Sequence, residues 1–358
     1  MQRSKQTLFQ LLVILSGLVM AVVVILLCSS EPGIALKFFF TGPFSSEFFL
    51  GDMINTAVPL IICGLAASVS FTASVWNLGL EGMVYFGMLT GTMAGVWMEG
   101  WPAAIAIPLM FVAAFVGGAV LSLLCNFFRR RFNVDIMMSS LMIANVIFYL
   151  VMMLVEGPFR DMDSGQGVTT AMIPEAFQFR NLLATSELNA TLFIAIALTA
   201  IMYFCLRRTK VGYEIRITGE NPSFAAYGGI STLAVASLAM ILSGGLGGVG
   251  GLSYVLCTSN RVRNQLCGIG WSGLSIAMIS RNNPLLVLPV SLFFAYLTKG
   301  AECAALFADI TPDVAQIIQG AILLLVTSEK LITAISGGNK KKKKALKPKA
   351  EEHKEVAE

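Results

Sequence analysis

Charge is what this sequence has least of. Only 13% of its 358 residues are Asp, Glu, Lys or Arg, and 56% are hydrophobic; a soluble domain carries roughly 25% charged residues. A chain so poor in charge cannot cover a water-soluble surface. Histidine is nearly missing too, since the single one, His353, lies in the last residues. None of the seven cysteines forms a Cys-x-x-Cys pair, so no metal site is expected and no catalytic residue can be named from a Ser/His or metal-ligand constellation. No glycine-rich stretch runs into the Gly-Lys-Ser/Thr of a phosphate-binding loop. The chain therefore has no motif of its own for hydrolysing ATP, and no cofactor is expected on it.

Long apolar runs recur from end to end, and each needs about 17–25 residues to cross a bilayer. They run continuously and do not alternate in period two, which argues against a β-barrel. The expected fold is all-α: a polytopic membrane protein of about ten transmembrane helices, read at that length. They fall near residues 8–28, 53–71, 81–98, 101–127, 135–155, 188–206, 232–256, 268–279, 285–299 and 313–335. The first run is longer than the roughly 7–15 residues of a signal core and is read as a membrane helix. The run 268–279 is short for a crossing and suggests a broken or re-entrant helix. The expected division is a membrane domain over residues 1–335 and a disordered Lys/Glu-rich tail over 336–358. That tail suits anionic membrane lipid and gives no reason to expect nucleic acid.

Charge supports this layout independently of hydropathy. With both termini on the cytoplasmic side, nineteen of the 25 Lys and Arg residues fall inside, as the positive-inside rule requires. Arg261 and Arg263 fall outside and fit least well. The longest outer segment, 156–187, either meets an extracytoplasmic partner or caps helix ends. Cys257 and Cys267 flank the next outer loop, as a pair or as two free thiols. Two halves of five spans each would have to be inverted relative to one another, a common transporter plan.

Four stretches carry polar or small residues where apolar ones would be expected. In 75–82, Asn77 and Glu81 either line a pathway or cap a helix start. In 133–145, Asp135 suits a helix N-cap, and Asn145 sits deep in a span, where its amide must meet another helix or a solute. In 243–251, Gly244, Gly248 and Gly251 fall on spacings that allow tight helix packing. The fourth, 207–230, is a polar Arg- and Gly-containing segment between two apolar runs. It reads as a short helix, a break at Gly219-x-Asn221-Pro222, and two aromatics around small residues. Such a segment either docks on a partner's groove or is a plain connector.

These residues together resemble a known family. Gly212-Tyr213-Glu214-Ile215-Arg216 and Gly219-x-Asn221-Pro222-x-x-Ala225-Ala226-Tyr227-x-Gly229-Ile230 are similar to the coupling region of ATP-binding cassette (ABC) importer permeases. The branch is that of the simple-sugar and nucleoside permeases, related to branched-chain amino-acid and ribose permeases. Asn77-Leu78-Gly79-Leu80-Glu81-Gly82, Asn133-Val134-Asp135-Ile136, Leu242-Ser243-Gly244-Gly245-Leu246-x-Gly248, Gly270-Trp271-x-Gly273 and Arg281-Asn282-Asn283-Pro284 resemble further signatures of that branch, in its order. Met83 departs from the branch, which has Gln there; Asp135 stands for Glu and Ser280 for Gly. The resemblance implies one half of a permease pair in the bacterial cytoplasmic (inner) membrane. Its partners would be a second permease, homologous or identical, a cytoplasmic ATPase that uses ATP, and an extracytoplasmic substrate-binding protein or lipoprotein. The ATPase contact would fall on Gly212, Tyr213, Arg216, Gly219, Asn221, Pro222, Ala225 and Ala226. Asn77, Glu81 and Asn145 would lie near the path of a small-molecule solute: a nucleoside first, then a sugar, with riboflavin as an alternative. A stand-alone carrier is the contrasting class, and would need more intramembrane acids or histidines than this chain has.

Overall fold

The computed structural model describes residues 18–320, apart from 20, 28, 30, 163–166, 184, 309–310, 312–313, 315 and 318. The tail 336–358 and most of the expected spans 8–28 and 313–335 lie outside the described residues. Among the described residues every named element is helical, and β-pairing is confined to isolated bridges. Local signals start the helices. Pro32 opens α1 (Pro32–Thr41). The Ser46 hydroxyl accepts from the Phe49 N–H to cap α2 (Glu47–Thr72), and the Asp135 carboxylate accepts from the Met137 N–H at 2.7 Å to cap α5 (Ile136–Glu156). These bonds satisfy backbone donors that a helix start leaves open.

Six helices are long and apolar enough to cross a membrane: α2, α4 (Ala103–Phe132), α5, α6 (Thr191–Arg208), α9 (Thr232–Cys257) and α11 (Pro284–Phe307). That shows a polytopic all-α membrane protein. Two of the expected spans differ from these six. Helix α3 (Leu80–Trp97) has 18 residues, but Glu81, two threonines and four glycines dilute its hydropathy. Helix α10 (Ile269–Ile279) has only 11 residues, about 16 Å at the usual rise, or half a hydrocarbon core.

Helices α2 and α9 form the centre and are buried along most of their length, whereas α4, α5 and α6 turn apolar faces outward. Val112, Val116, Val120 and Leu123 on α4 are among these exposed residues. An exposed apolar face combined with a buried, glycine-rich centre suits lipid as the solvent. Helix α9 reaches the centre because it lacks side chains where neighbours cross. A Cβ on Gly244 would overlap Ser122 and the Gly118 carbonyl of α4; one on Gly248 would overlap the Ala114 carbonyl; one on Gly251 would overlap the Val84 carbonyl of α3.

The long segment between α5 and α6 folds over the connection between α9 and α10. The Thr170 N–H donates to the Val262 carbonyl at 3.0 Å and the Ile173 N–H to the Asn260 carbonyl at 2.9 Å. Arg261 lies 3.9 Å from Asp161 in an ion pair. The two arginines that fitted the charge layout least well therefore belong to a folded cap over helix ends. Cys257 and Cys267 are both free thiols, and Cys257 instead packs 3.0 Å from the Thr191 hydroxyl.

Candidate functional site

A cavity of about 600 Å³ opens between α2, the end of α9, α10 and α11, within the size range of small-molecule sites. Its walls carry the aromatic rings of Tyr254 and Trp271 and a connected polar set. The Ser272 hydroxyl donates to Gln319 Oε1 at 2.9 Å, and Gln319 Nε2 donates to the Thr298 hydroxyl at 3.0 Å. Lys299 Nζ stands 2.7 Å from Asp52 Oδ2 and 2.7 Å from Glu302 Oε2, so one ammonium joins α2 to α11. Glu187 also faces the cavity. Burial, and then the neighbouring Asp52, raise its carboxyl above the usual carboxylate range, against the pull of Lys299 and Arg263.

Behind one wall stands Glu81. Its carboxylate accepts from the Gly268 N–H at 3.0 Å, the Gly270 N–H at 2.6 Å and the Trp271 N–H at 3.2 Å. It thus caps α10, a helix far away in sequence, and not its own. Tyr85, one turn further along α3, adds a second tie: its hydroxyl accepts from the Cys267 N–H at 2.7 Å and donates to the Gln265 carbonyl at 3.3 Å. Together they hold residues 265–271, and Cys267, Gly268 and Trp271 in that segment line the cavity. Glu81 itself is not among the lining residues; it fixes the segment that is. Glu81→Gln keeps the shape but sets an amide N–H₂ against a backbone donor. With bonds to a charged group contributing about 1.5–3 kcal/mol each, stability should fall by about 2 kcal/mol and Trp271 emission should shift. Thermal unfolding and Trp fluorescence of the purified chain check this, and unchanged values for both would contradict the clamp.

Asn77 and Asn145 occupy different environments, and neither lines the cavity. Asn77 is fully buried. Its Nδ2 donates to the Ser243 hydroxyl at 3.0 Å and to the Met83 sulfur at 3.3 Å, and its Oδ1 accepts from the Gly79 N–H at 3.2 Å. These bonds join the start of α3 to α9. Met83 is buried as well, so its thioether serves as an acceptor inside the bundle. Asn145 is exposed on α5 and donates to the Leu141 carbonyl of its own helix at 2.9 Å. It shares an outward face with Met138, Met142, Val146, Tyr149 and Met153, all exposed.

The segment after α6 folds as α7 (Lys210–Glu220) and α8 (Pro222–Tyr227). The Thr209 hydroxyl accepts from the Gly212 N–H to start α7. Asn221 Oδ1 accepts from the Phe224 N–H at 3.0 Å, with Pro222 as the first residue of α8, an arrangement that suits proline's missing N–H. Gly212 and Gly219 face inward: a Cβ on the first would overlap the Cys205 carbonyl, and on the second the Thr72 carbonyl at the end of α2. Ala225 is buried, Arg216 half-buried, and Tyr213 and Ala226 exposed. Phe224 is 61% exposed and Tyr227 92% exposed. Phe224 and Tyr227, the two aromatics around small residues in this segment, are thus the most exposed large apolar groups on α7–α8. Asp52, at the cavity, and Thr72, beside α7, are 20 residues apart on α2, about 30 Å at 1.5 Å per residue. That separation equals a hydrocarbon core, so the cavity and α7–α8 occupy opposite ends of the bundle.

The cavity residues Asp52, Glu187, Lys299 and Glu302 escape sequence reading because they come from three places in the chain: α2, the segment before α6, and α11. One signal was available: Lys299 and Glu302, a helical turn apart within an otherwise apolar run, are costly in a membrane unless paired. Among the described residues no group of three or more His, Cys, Asp or Glu side chains gathers as a metal site.

Comparison with known proteins adds to this geometry. The family model described as "Branched-chain amino acid transport system / permease component" matches residues 49–327. The glucose ABC transporter permease protein TsgB13 of Haloferax volcanii is 28% identical over 89% of this chain and 86% of its own length. The nucleoside ABC transporter permease protein NupB of Lactococcus lactis is 24% identical over 92% and 93%, and the probable riboflavin import permease protein RfuC of Treponema pallidum is 26% identical over 91% and 86%. Among solved structures, PsaBC from Streptococcus pneumoniae in complex with Fab aligns with a TM-score of 0.50 at 13% identity, over 81% of this chain and 95% of that one. That likeness concerns the fold alone.

Proposed function

The chain belongs to the family of branched-chain amino acid transport system permease components, and from that premise we propose that it is the membrane-spanning half of an ABC importer for nucleosides or a related sugar- or ribosyl-bearing solute. The observation that carries the proposal is the pairing of a polar, ring-lined cavity at one end of the bundle with an exposed aromatic helix pair, α7–α8, at the other. A separate ATPase docks on α7–α8 from the cytoplasm, and a binding protein delivers solute to the cavity from outside. ATP binding pulls α7, which packs on the inner end of α2 through Gly219. Motion of α2 then reshapes the cavity that Asp52 lines, giving alternating access.

Among the described residues eight helices, α2–α6 and α9–α11, are the chain's membrane segments, in a bacterial inner-membrane protein whose cytoplasmic side carries α7–α8; the expected spans 8–28 and 313–335 and both termini lie wholly or mostly outside the described residues. A second permease covers the outward face of α5, which brings Asn145 to the shared path. Glucose, nucleoside and riboflavin relatives support a ring-bearing, hydrogen-bonding solute. Riboflavin is the alternative cargo, since the cavity's three aromatic rings, Phe48, Tyr254 and Trp271, also suit a flat ring system.

Arg216→Glu tests the docking. Arg216 lies on α7 one turn beyond Gly212, to whose carbonyl its Nε donates at 3.4 Å. Reversing its charge should leave insertion and the partner's ATP hydrolysis intact, and lower uptake by about tenfold, a coupling loss of about 1.4 kcal/mol. Uptake at the unaltered rate would remove α7 from the contact.

A further inference from the structure

We infer that the cavity selects solutes by charge, with Asp52 and Glu302 as the determining residues: they lock the Lys299 ammonium, so neutral and cationic solutes enter and anionic ones, phosphorylated forms included, are refused. The inference rests on the reading that this cavity lies on the solute path.

The geometry argues for it in three steps. First, Lys299 is the one cation on the cavity wall among the described residues, and an anion would otherwise be drawn to it. Its side chain is only 13% exposed, and Asp52 and Glu302 both hold it at 2.7 Å. Close charge-assisted bonds of this kind are the strong ones. A phosphate or carboxylate on a solute would have to displace Asp52, largely buried at 19% exposure, or the more open Glu302, and then sit beside the negative charge it had displaced, which is costly. Second, the wall carries Asp52, Glu187 and Glu302 against Lys299, an excess of acid. The nearest further cations line a smaller adjoining chamber of about 280 Å³. Arg261 there is engaged by Asp161, and Arg263 shares that chamber with Glu187. Third, the remaining polar groups suit an uncharged solute. The Ser272–Gln319–Thr298 chain offers both donors and acceptors, and Tyr254 and Trp271 offer ring faces.

Clefts lined by one sign of charge change local ion concentrations by 10-fold or more, and thiol labelling reads this directly. Thr258 is exposed and lies where the cavity meets the adjoining chamber, lining both, so its labelling reads the field of Asp52, Glu187, Glu302 and Lys299 together with that of Arg261 and Arg263. The full chain carrying Thr258→Cys, in lipid nanodiscs at pH 7.5, is treated with a cationic or an anionic methanethiosulfonate reagent of similar size. Peptide mass spectrometry separates this thiol from the distant native ones, and fragment ions separate it from Cys257 beside it, which is buried. Relative to a free thiol in solution, the cationic reagent should react about tenfold faster than the anionic one. Adding Asp52→Asn and Glu302→Gln frees the ammonium and should erase or invert that preference. Adding Lys299→Met instead should enlarge it. Equal rates in the chain with its charges intact, or a preference unmoved by both sets of changes, would overturn the inference. If the double variant fails to fold, the intact chain and the Lys299→Met variant still decide. None of these rates depends on ATP or on uptake, so failure of the importer reading would show separately, as absence of ATP-driven transport.

Discussion

Replacing Phe224 and Tyr227 together with Asp is expected to lower ATP-driven uptake by about 100-fold without disturbing the bundle. Both rings stand in solvent on α8, 61% and 92% exposed, so the fold does not depend on them. Interface energy concentrates in a few aromatic or arginine anchors that each contribute about 2 kcal/mol or more, and about 1.4 kcal/mol is tenfold in affinity. Losing two such anchors and placing two charges at the contact should weaken docking by about 100-fold or more. Co-purification of the ATPase and uptake by reconstituted vesicles measure this, alongside the unfolding temperature of the permease alone. Undiminished uptake, or a large fall in unfolding temperature, would contradict the assignment of α8.

Gly248→Leu should cost the chain its native structure. At that position α9 touches α4 backbone to backbone: a Cβ on Gly248 would overlap the Ala114 carbonyl, and one on Gly87 of α3 would overlap Gly248 itself. Neither neighbour is a flexible side chain that can yield. Forcing a leucine there separates three helices at once, and effects beyond about 4 kcal/mol belong to such sites. Loss of a monodisperse peak in size-exclusion chromatography is the readout. Gly228→Ala is the control, because a Cβ there meets only ordinary contacts at 3.4 Å and beyond. If Gly248→Leu elutes and melts like the unaltered chain, the central crossing is not the tight one described.

Legibility in the sequence follows from how local each signal is. Continuous apolar runs announced α2, α4, α5, α6, α9 and α11, since length and hydropathy are properties of one segment. The shortness of α10 was visible for the same reason. What a polar residue inside such a run bonds to was not. Asn77 is satisfied by Ser243, 166 positions away, whereas Asn145 is satisfied by its own helix, and no pattern around either residue separates the two. Glu81 stands at the start of α3, where a carboxylate suits that helix's dipole, yet it caps α10 because the two starts meet in space. In α7–α8 the motif marked the segment but not its faces. Gly212 and Gly219 turned inward because only glycine fits against the carbonyls there, which left Phe224 and Tyr227 outermost. The cavity's charges come from α2, α11 and the segment before α6, so only tertiary packing brings them together.

The chain is expected to move solute only when a separate motor drives it through α7–α8. The direct measurement is accumulation of radiolabelled nucleoside in proteoliposomes containing the permease pair, with and without the ATPase, with binding protein and ATP on their respective sides. Uphill accumulation is expected only when ATPase and ATP are both present, and none under a proton or sodium gradient alone. Uphill uptake by the permease without any ATPase would contradict this.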